Sequence, residues 1–157
     1  VTEGAACTTL LAKKFIDNSN PLIIANSDQY ILWDSSKTLY NFYTKGFDGG
    51  ILTFESIHPK WSYAKCDENQ IVKEVAEKKV ISTNATVGIY YWKKGSDYVK
   101  YANRMIKKNL RVNGEFYVCP IYNEAIKDGK KISISKVKKM YGLGTPEDLK
   151  NYLDLTK

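Results

Sequence analysis

The stretch Leu22-Ile23-Ile24-Ala25-Asn26-Ser27-Asp28-Gln29 decides the fold, because a short apolar run ends abruptly in a cluster of polar residues. A continuous apolar run of this length is typical of a parallel strand that is buried on both faces. The polar cluster then lies at the carboxyl edge of the predicted strand. In open α/β sheets, ligands bind outside that edge. We therefore expect residues 26–29 to take part in a ligand site.

Helices and strands alternate on both sides of this stretch. Apolar residues at helical spacing predict a helix over 5–16, and a helix over 35–43 is expected to be capped by Ser35 or Ser36. Residues 63–66 and 71–75 alternate in polarity around a turn and predict a hairpin. The other predicted elements are helices over 96–108, 120–127 and 145–153, and strands over 51–54, 86–92, 132–134 and 140–143. This order predicts one α/β domain over 1–157, in which helices flank a mixed, mostly parallel sheet.

Composition narrows the classes of function. The chain has 157 residues, which suits one domain, and its apolar runs are far shorter than the roughly 20 residues of a membrane helix. Three cysteines without a C-x-x-C pair do not suggest a disulfide framework, so we expect a soluble, cytoplasmic protein. The single histidine, His58, excludes zinc sites with several imidazoles. The net charge of +7 suits anionic partners such as nucleotides, phosphorylated metabolites or nucleic acid.

Three places in the chain are candidates for chemistry. Asp28 follows the predicted strand, where a carboxylate on rigid backbone suits a Mg²⁺ site for phosphates, but it also fits an ordinary turn. Glu77 and Lys78 fit either a pair that orients hydroxyls and a phosphate or a solvated charge run. Glu115 fits either a second metal ligand or a cap for the following helix. The residues alone leave these alternatives open.

Six short motifs follow one another along the chain. They are Glu3-Gly4-Ala5-Ala6, Asn26-Ser27-Asp28-Gln29, Ala76-Glu77-Lys78, Ala85-Thr86-Val87-Gly88-Ile89-Tyr90, Asn113-Gly114-Glu115-Phe116-Tyr117-Val118 and Gly142-Leu143-Gly144-Thr145-Pro146-Glu147-Asp148-Leu149. In this order they resemble the sugar-phosphate nucleotidyltransferase family, the sugar-nucleotide pyrophosphorylases. The resemblance implies a Rossmann-like α/β fold with a mixed sheet flanked by helices.

The resemblance covers the C-terminal two-thirds of the family's catalytic domain. Family members open with a strand, a glycine-rich loop with an arginine and, shortly after it, a lysine, which together grip the triphosphate. The printed sequence contains none of these and begins at Val1. The resemblance therefore implies that the N-terminal part of the domain is missing and that this chain is not a competent enzyme by itself.

The resemblance also assigns roles to the nucleotide side of the site. Gly4 and Ala5 would lie against the nucleobase, and Asp28 would hold Mg²⁺ on the α-phosphate of the nucleotide. Many relatives have an aspartate as second metal ligand where this chain has Tyr117. Glu115 is expected to replace it, because residues two positions apart share a face of an extended segment.

The resemblance also implies roles for residues on the acceptor side of the site. Glu77 with Lys78 would receive the sugar and the phosphate of the acceptor, and Gly88 would let the acceptor approach the backbone. Asp28 and Lys78 are thus the expected catalytic residues. Two further departures from the family pattern are Lys79, where many relatives have proline, and Gly142, where they often have aspartate.

The implied reaction joins an NMP from an NTP to a sugar 1-phosphate or a similar phosphorylated acceptor, with release of pyrophosphate. Mg²⁺ is the expected cofactor, a pyrimidine base is preferred, and the expected setting is capsule or surface-polysaccharide synthesis. No membrane or nucleic-acid partner is expected, and a homo-oligomer stays open.

Two alternatives belong to other classes of function. The first is a non-catalytic nucleotide- or nucleic-acid-binding module, suggested by the net charge of +7 and the missing triphosphate loop. Against it, the lysine pairs are spread along the chain and form no clustered basic stripe. The second is a glycosyltransferase, which the lack of a D-x-D motif disfavours.

Overall fold

The computed structural model describes residues 1–155, which contain six helices and eight strands. The helices are α1 (Ala5–Leu10), α2 (Lys13–Ile16), α3 (Ser35–Thr44), α4 (Gly95–Lys107), α5 (Ile121–Lys127) and α6 (Pro146–Leu155). The strands are β1 (Leu22–Ala25), β2 (Gln29–Leu32), β3 (Gly49–Glu55), β4 (Ser62–Cys66), β5 (Val72–Glu77), β6 (Asn84–Trp92), β7 (Ile132–Lys136) and β8 (Lys139–Gly142). None of these helices is long and apolar enough to cross a membrane. The predicted domain extends to residue 157, and its last two residues lie outside the described part.

Two local predictions are wrong in detail. The predicted helix over 5–16 is two helices, because the amides of Leu11 and Ala12 each donate to a carbonyl only three residues back, which tightens the chain into a turn. The helix α3 is capped by Asp34, whose carboxylate accepts a hydrogen bond from the Lys37 amide at 2.9 Å. Aspartate is as good an N-cap as serine, so the cap lies one residue earlier than predicted.

The long strand β6 is the centre of a six-stranded sheet, in which the strands follow the order β5-β4-β6-β3-β7. One edge of β6 pairs with β3. The other edge pairs first with β4, where Tyr63 lies opposite Ala85, and then with β1, where Ala25 lies opposite Ile89. The hairpin of β4 and β5 and the mixed sheet are therefore confirmed.

The expectation that most strand pairs are parallel is wrong. Among the described residues, β3 and β7 form the parallel pair, whereas β6 runs antiparallel to β1, β3 and β4. The strand β1 is also not buried on both faces, since its residues alternate between half-buried and exposed and Ile23 is 45% exposed. An apolar run reports hydrophobicity, but strand direction and the number of covered faces depend on distant segments.

Helices cover both faces of the sheet. On one face, α4 and α5 pack over β6, where the rings of Trp92 and Tyr122 stack at 4.3 Å between centroids. On the other face, Phe42 of α3 stacks on Tyr91 at 5.6 Å. Neighbouring residues of β6 thus serve opposite faces, as side chains in a strand must. The α/β architecture with flanking helices is confirmed.

A small second sheet was not foreseen. It consists of β2 paired antiparallel with β8, and Gln29 lies opposite Gly142. The rings of Tyr30, Tyr141 and Tyr152 pack together and attach α6 to this sheet. The pairing places the polar cluster after β1 beside the glycine-rich segment after β8.

Candidate functional site

Two adjoining pockets form one groove between the sheets. Both are lined by Asn26, Gln29, Lys60 and Trp61, and we call their union the Trp61 groove. The half against β6 has a volume of about 160 Å³ and is also lined by Ser62, Thr86, Val87, Gly88 and Tyr90. The half against β8 has about 200 Å³ and is also lined by Asp28, Gly142, Gly144, Thr145 and Asp148. The structure thus brings two of the predicted site residues, Asp28 and Gly88, to the same groove.

Gly88 lies at an irregular point of β6, where the register with β3 shifts. Its φ of +73° belongs to the left-handed region, which favours glycine. Its carbonyl accepts a hydrogen bond from the Asn26 amide at 2.9 Å. A Cβ at this position would lie 2.5 Å from the side-chain nitrogen of Asn26. Gly88 therefore permits a close approach of Asn26, the first residue after β1.

Asp28 lies against the segment after β8. Its carbonyl accepts a hydrogen bond from the Leu143 amide at 2.8 Å, and a Cβ at Gly144 would lie 2.8 Å from its carboxylate. Within the described residues its carboxylate has no hydrogen bond or ion pair to protein. Glycine at 144 therefore keeps room beside an unpaired carboxylate that faces the groove.

Asp148 brings a second carboxylate to the same half of the groove. The Thr145 hydroxyl donates to it at 2.8 Å and accepts from the Asp148 amide at 3.1 Å, the arrangement of a helix cap. Lys60 reaches it at 3.9 Å. A Cβ at Gly142 would lie 3.8 Å from this carboxylate. The side chain of Asp148 therefore lies beside Gly142, which is one of the departures from the family pattern.

Gln29 lines the groove, and the sequence analysis predicted it only as a member of the cluster 26–29, with no role of its own. Its side-chain nitrogen is buried and has no hydrogen-bond partner among the described residues. A buried amide donor without a partner is costly, so such groups in folded proteins usually meet a ligand or water. Its place next to Asp28 in the polar cluster was the available signal.

Lys60 and Trp61 form the shared wall of the groove and were also missed. The turn before them is held by His58, whose ring Nδ1 accepts from the Lys60 amide at 3.2 Å. The rings of Trp61 and Phe54 are nearly perpendicular, with their centroids 5.3 Å apart, and the Lys60 ammonium lies 4.7 Å from the centre of the Trp61 ring. An aromatic face beside a cation is suited to a ligand that combines an apolar surface with negative charge.

Glu77 is connected to the groove through Ser62. These residues pair across the hairpin, and the Ser62 hydroxyl donates a short hydrogen bond to the Glu77 carboxylate. Burial raises the pKa of the Glu77 carboxyl, while the Ser62 hydrogen bond and the charge of Lys78 oppose the rise. The predicted acceptor residue therefore supports the groove wall from behind Ser62.

Lys78 follows in a left-handed conformation with φ of +52°, and its amide donates to the Trp61 carbonyl at 3.0 Å. Its ammonium donates to the Tyr117 hydroxyl at 2.6 Å. That hydrogen bond is the main cause of a raised pKa for Lys78, to which the charges of Glu77 and Glu115 also contribute. Tyr117, at one of the departures from the family pattern, thus positions the predicted catalytic lysine.

Gly4 and Ala5 lie at the start of α1 and contact the segment after α4. The φ of Gly4 is +123°, and a Cβ there would lie 2.6 Å from the Phe116 carbonyl oxygen. The Phe116 amide donates to the Glu3 carbonyl at 2.9 Å, and the Ala6 amide donates to the Phe116 carbonyl at 3.0 Å. Glycine is therefore required at position 4 because the backbone of Phe116 approaches it closely. Ala5, in contrast, is exposed. The first and fifth motifs are joined here.

Side-chain oxygen atoms beside Asp28 are of the kind that the expected Mg²⁺ would need. Asp28 and Asp148 supply carboxylates and Thr145 a hydroxyl to the same half of the groove, and Mg²⁺ takes oxygen ligands of this kind. Glu115, the predicted second ligand, lines neither half of the groove and instead lies near Lys78. Within residues 1–155 no three acidic, histidine or cysteine side chains gather as a complete metal cluster. Two carboxylates and one hydroxyl are thus among the side-chain oxygen donors that this half of the groove offers to an ion.

Comparisons with known proteins give matches to solved structures. No family model and no curated protein matches the sequence. A nucleoside-diphosphate-sugar pyrophosphorylase from Vibrio cholerae RC9 is 24% identical, with a TM-score of 0.80 over 98% of this chain and 66% of that chain. A putative glucose-1-phosphate thymidylyltransferase from Bacillus anthracis, in complex with a sucrose, is 20% identical, with a TM-score of 0.74 over 97% and 60%. A UDP-glucose pyrophosphorylase complexed with UDP-glucose is 15% identical, with a TM-score of 0.81 over 100% and 64%.

These matches confirm, for the fold, the resemblance drawn from the six motifs. Because each match covers nearly all of this chain, the agreement does not rest on a single motif or element. The chain has the fold of the nucleotide-sugar pyrophosphorylases, and it spans between 60% and 66% of the length of these three relatives.

Proposed function

We propose that this chain belongs to a Mg²⁺-dependent nucleotidyltransferase that joins an NMP from an NTP to a phosphorylated sugar or sugar-like acceptor. One observation carries the proposal. Asp28, Gly88, Gly144 and Asp148, which come from three of the six motifs, line one groove on a fold shared with nucleotide-sugar pyrophosphorylases. The resemblance supports a pyrimidine nucleotide and a role in capsule or surface-polysaccharide synthesis, which we include in the proposal.

The lining of the Trp61 groove suits a sugar phosphate. The Trp61 ring offers an apolar face for a sugar, and the unpartnered amide of Gln29 can donate to a hydroxyl. Lys60 supplies a positive charge for a phosphate. Gly88, which has no side chain beyond hydrogen, also lines this groove. These contacts orient an acceptor, which is the main contribution a protein makes to phosphoryl-group chemistry.

The reaction needs little covalent help from side chains. A phosphate oxygen of the acceptor, already ionised near neutral pH, attacks the α-phosphorus of the nucleotide in line. A P–O bond forms to the acceptor as the P–O bond to pyrophosphate breaks, and pyrophosphate leaves. No proton has to be removed from the nucleophile, which agrees with a groove that has no histidine among its lining residues.

Asp28 and Asp148 are the residues that would hold the metal in this proposal. Mg²⁺, when bound, offsets the negative charge of the phosphates. We place Asp148 here instead of Glu115, because Asp148 lines the same half of the groove as Asp28. Lys78 with Glu77 then serves the acceptor side next to Trp61, and Gly4 with Ala5 serves the nucleotide side.

The test is pyrophosphate release by the complete gene product, with the four NTPs, a panel of sugar 1-phosphates and Mg²⁺. Asp28→Ala should lower turnover by more than about 100-fold while the protein stays folded, because it removes a metal ligand. Asp17→Ala, the same change at an exposed position of the chain, is the matched control. Turnover by Asp28→Ala equal to that of the control would refute the role of Asp28.

Lys78→Ala separates the two subsites in the same assay. It should raise the acceptor KM by about tenfold and leave the NTP KM nearly unchanged, because the lysine lies on the acceptor side. Lys79→Ala is its matched control, since Lys79 is the exposed neighbour. A raised NTP KM instead would show that the subsites are exchanged. Nucleotide binding without turnover for any acceptor would favour the non-catalytic binding module.

A further inference from the structure

A second and larger cavity lies at the opposite end of the central sheet from the Trp61 groove. Its lining includes Phe47, which lies two residues before β3, and Ile71 and Lys131, which directly precede β5 and β7. The groove, in contrast, adjoins Glu77 at the last residue of β5 and Asn26 directly after β1. The two sites are therefore separated by the length of the strands.

The floor of this cavity is apolar. Phe47, Ile71, Val72 and Ile126 line it, and the cavity has a volume of about 550 Å³. Cavities of roughly 300–1,000 Å³ with a mainly apolar lining are the usual size for small-molecule sites. The floor therefore offers room for the apolar body of a small ligand.

The rim of the cavity is cationic. No acidic residue is among its lining residues, and four lysines line it: Lys45, Lys73, Lys130 and Lys131. We call this cavity the lysine pocket.

Two of these four charges are already paired. Lys73 contacts Asp67 at 2.7 Å, and Lys130 contacts Asp48 at 3.1 Å and Asp97 at 2.9 Å.

The side chains of Lys45 and Lys131 have no ion pair within residues 1–155. Lys45 is the C-cap of α3, where a cation also complements the helix dipole. Lys131 has no such helix to complement, because it precedes the strand β7. Its amide donates to Asp48 at 3.0 Å. The Asp48 contact fixes the backbone of Lys131 but leaves its ammonium free for an anion.

We propose that the lysine pocket binds a small phosphorylated molecule with an apolar body. Its phosphate oxygens would accept hydrogen bonds from the ammonium groups of Lys45 and Lys131, and its apolar body would cover Phe47 and Ile126. Charge-assisted hydrogen bonds to phosphate supply the selectivity for an anion, and contact with the floor supplies the preference for an apolar body. This site is independent of the nucleotidyl transfer proposed above.

The test titrates the chain with 1-naphthyl phosphate at low ionic strength and follows its backbone amides by NMR. The amides around Phe47, Ile71, Ile126 and Lys131 should shift on binding. The double variant Lys45→Ala/Lys131→Ala should weaken binding by about tenfold, because both free charges are lost. Lys13→Ala/Lys14→Ala removes the same charge from exposed positions of α2 and is the matched control.

Three further measurements make the result decisive. 1-Naphthol, which lacks the phosphate, should bind more weakly than 1-naphthyl phosphate. Asp28→Ala should leave binding of the probe unchanged, which keeps this test separate from the proposed reaction. Thermal unfolding of each variant checks that the fold is intact.

The proposal is overturned by any of three results. The first is a double variant that binds as well as its control, and the second is amide shifts confined to the Trp61 groove. The third is tighter binding of an acidic peptide such as hexaglutamate than of 1-naphthyl phosphate, which would assign the pocket to a protein partner.

Discussion

Single residues shape the Trp61 groove through backbone conformations that most amino acids avoid. Gly88 and Lys78 both have positive φ values, +73° and +52°, and lie beside Asn26 and Trp61 respectively. A non-glycine residue in this region has a conformational cost of roughly 1–3 kcal/mol, so such residues gather where geometry serves a site. Lys78 is held in place by Tyr117, and Gly88 needs no side chain.

Replacement of Gly88 separates backbone strain from steric contact. Gly88→Ala should lower the free energy of unfolding by about 2–4 kcal/mol, because it adds a clash with the Asn26 side chain to the left-handed strain. Gly46→Ala is the matched control, since Gly46 has the same φ of +73° and no atom within 4 Å of its Cβ position. It should cost only about 1–2 kcal/mol. Urea unfolding measures both, and equal losses would show that Asn26 does not approach Gly88 closely.

The Glu77 carboxyl, which accepts a hydrogen bond from Ser62 in the groove lining, should make the stability of the fold depend on pH. Its pKa in the folded protein is raised above the ordinary value of 4.5, so folding favours the protonated form. The stability it contributes is fully present below that ordinary value and is lost as pH rises through the higher folded-state pKa. Glu77→Gln should therefore unfold at a temperature similar to the unmodified chain near pH 4 and higher by a few degrees near pH 7.

Two details make the Glu77 test specific. The glutamine side chain can still accept the hydrogen bond from Ser62, so packing is preserved. Glu74→Gln, an exposed position on the same strand β5, should not show the growing difference with pH. A constant difference between Glu77→Gln and the unmodified chain from pH 4 to pH 7 would contradict the burial of this carboxylate.

At the scale of elements, the pair of helices α4 and α5 is joined by charges around Asp128. Arg104 of α4 donates two hydrogen bonds to this carboxylate, at 2.7 and 3.0 Å, and Lys100 donates a third at 3.2 Å. Asp128 caps the C-terminus of α5, so these contacts tie the end of one helix to the side of the other. The hydrogen bonds from Arg104 and then Lys100 lower the pKa of Asp128.

Asp128→Asn should lower the melting temperature by a few degrees at pH 7. Because the folded-state pKa is depressed, the stabilisation is present above the ordinary value of 3.8 and is lost as pH falls toward the folded-state pKa. The difference from the unmodified chain should therefore shrink near pH 2 and in high salt. Glu68→Gln, an exposed carboxylate in the hairpin turn, is the control. A loss that is the same at pH 2 and pH 7 would rule out the ionic origin.

At the scale of the whole molecule, the central sheet separates two chemically different ends. One end carries the Trp61 groove with the carboxylates of Asp28 and Asp148, and the other carries the lysine pocket. The net charge of +7 is thus unevenly distributed, because carboxylates line the Trp61 groove and lysines without carboxylates line the other pocket. The fold as a whole matches nucleotide-sugar pyrophosphorylases at TM-scores of 0.74 to 0.81.

Much of the local structure was predictable from sequence. The strand over Leu22–Ala25 has the predicted bounds, and the helix predicted over 96–108 is α4 (Gly95–Lys107), which buries Val99, Ala102 and Met105. Such features depend on hydrophobic periods and turn residues within one segment. The polar cluster after β1 was predicted to take part in a ligand site because it directly follows an apolar strand, and the structure places Asn26, Asp28 and Gln29 in the lining of the Trp61 groove.

The individual partners in the groove could not be predicted in this way. Gln29 belongs to the predicted polar cluster, but only the structure shows that its amide is buried and unpartnered, and the pairing of β2 with β8 brings Asp148 to the groove. The wall formed by Trp61 depends on a turn held by His58, to which the sequence assigned no role.

The amino-acid sequence by itself determined most of the order of helices and strands, though not β2 or the break between α1 and α2, and it determined the position of the polar cluster and the resemblance to a family. The tertiary structure decided that the sheet is largely antiparallel, that β1 has an exposed face, and which carboxylate lies beside Asp28. The physical reason is the separation along the chain over which each kind of interaction acts. Periodicity and capping act between residues a few positions apart, whereas strand direction, burial and the neighbours of a side chain depend on contacts between segments far apart in the chain.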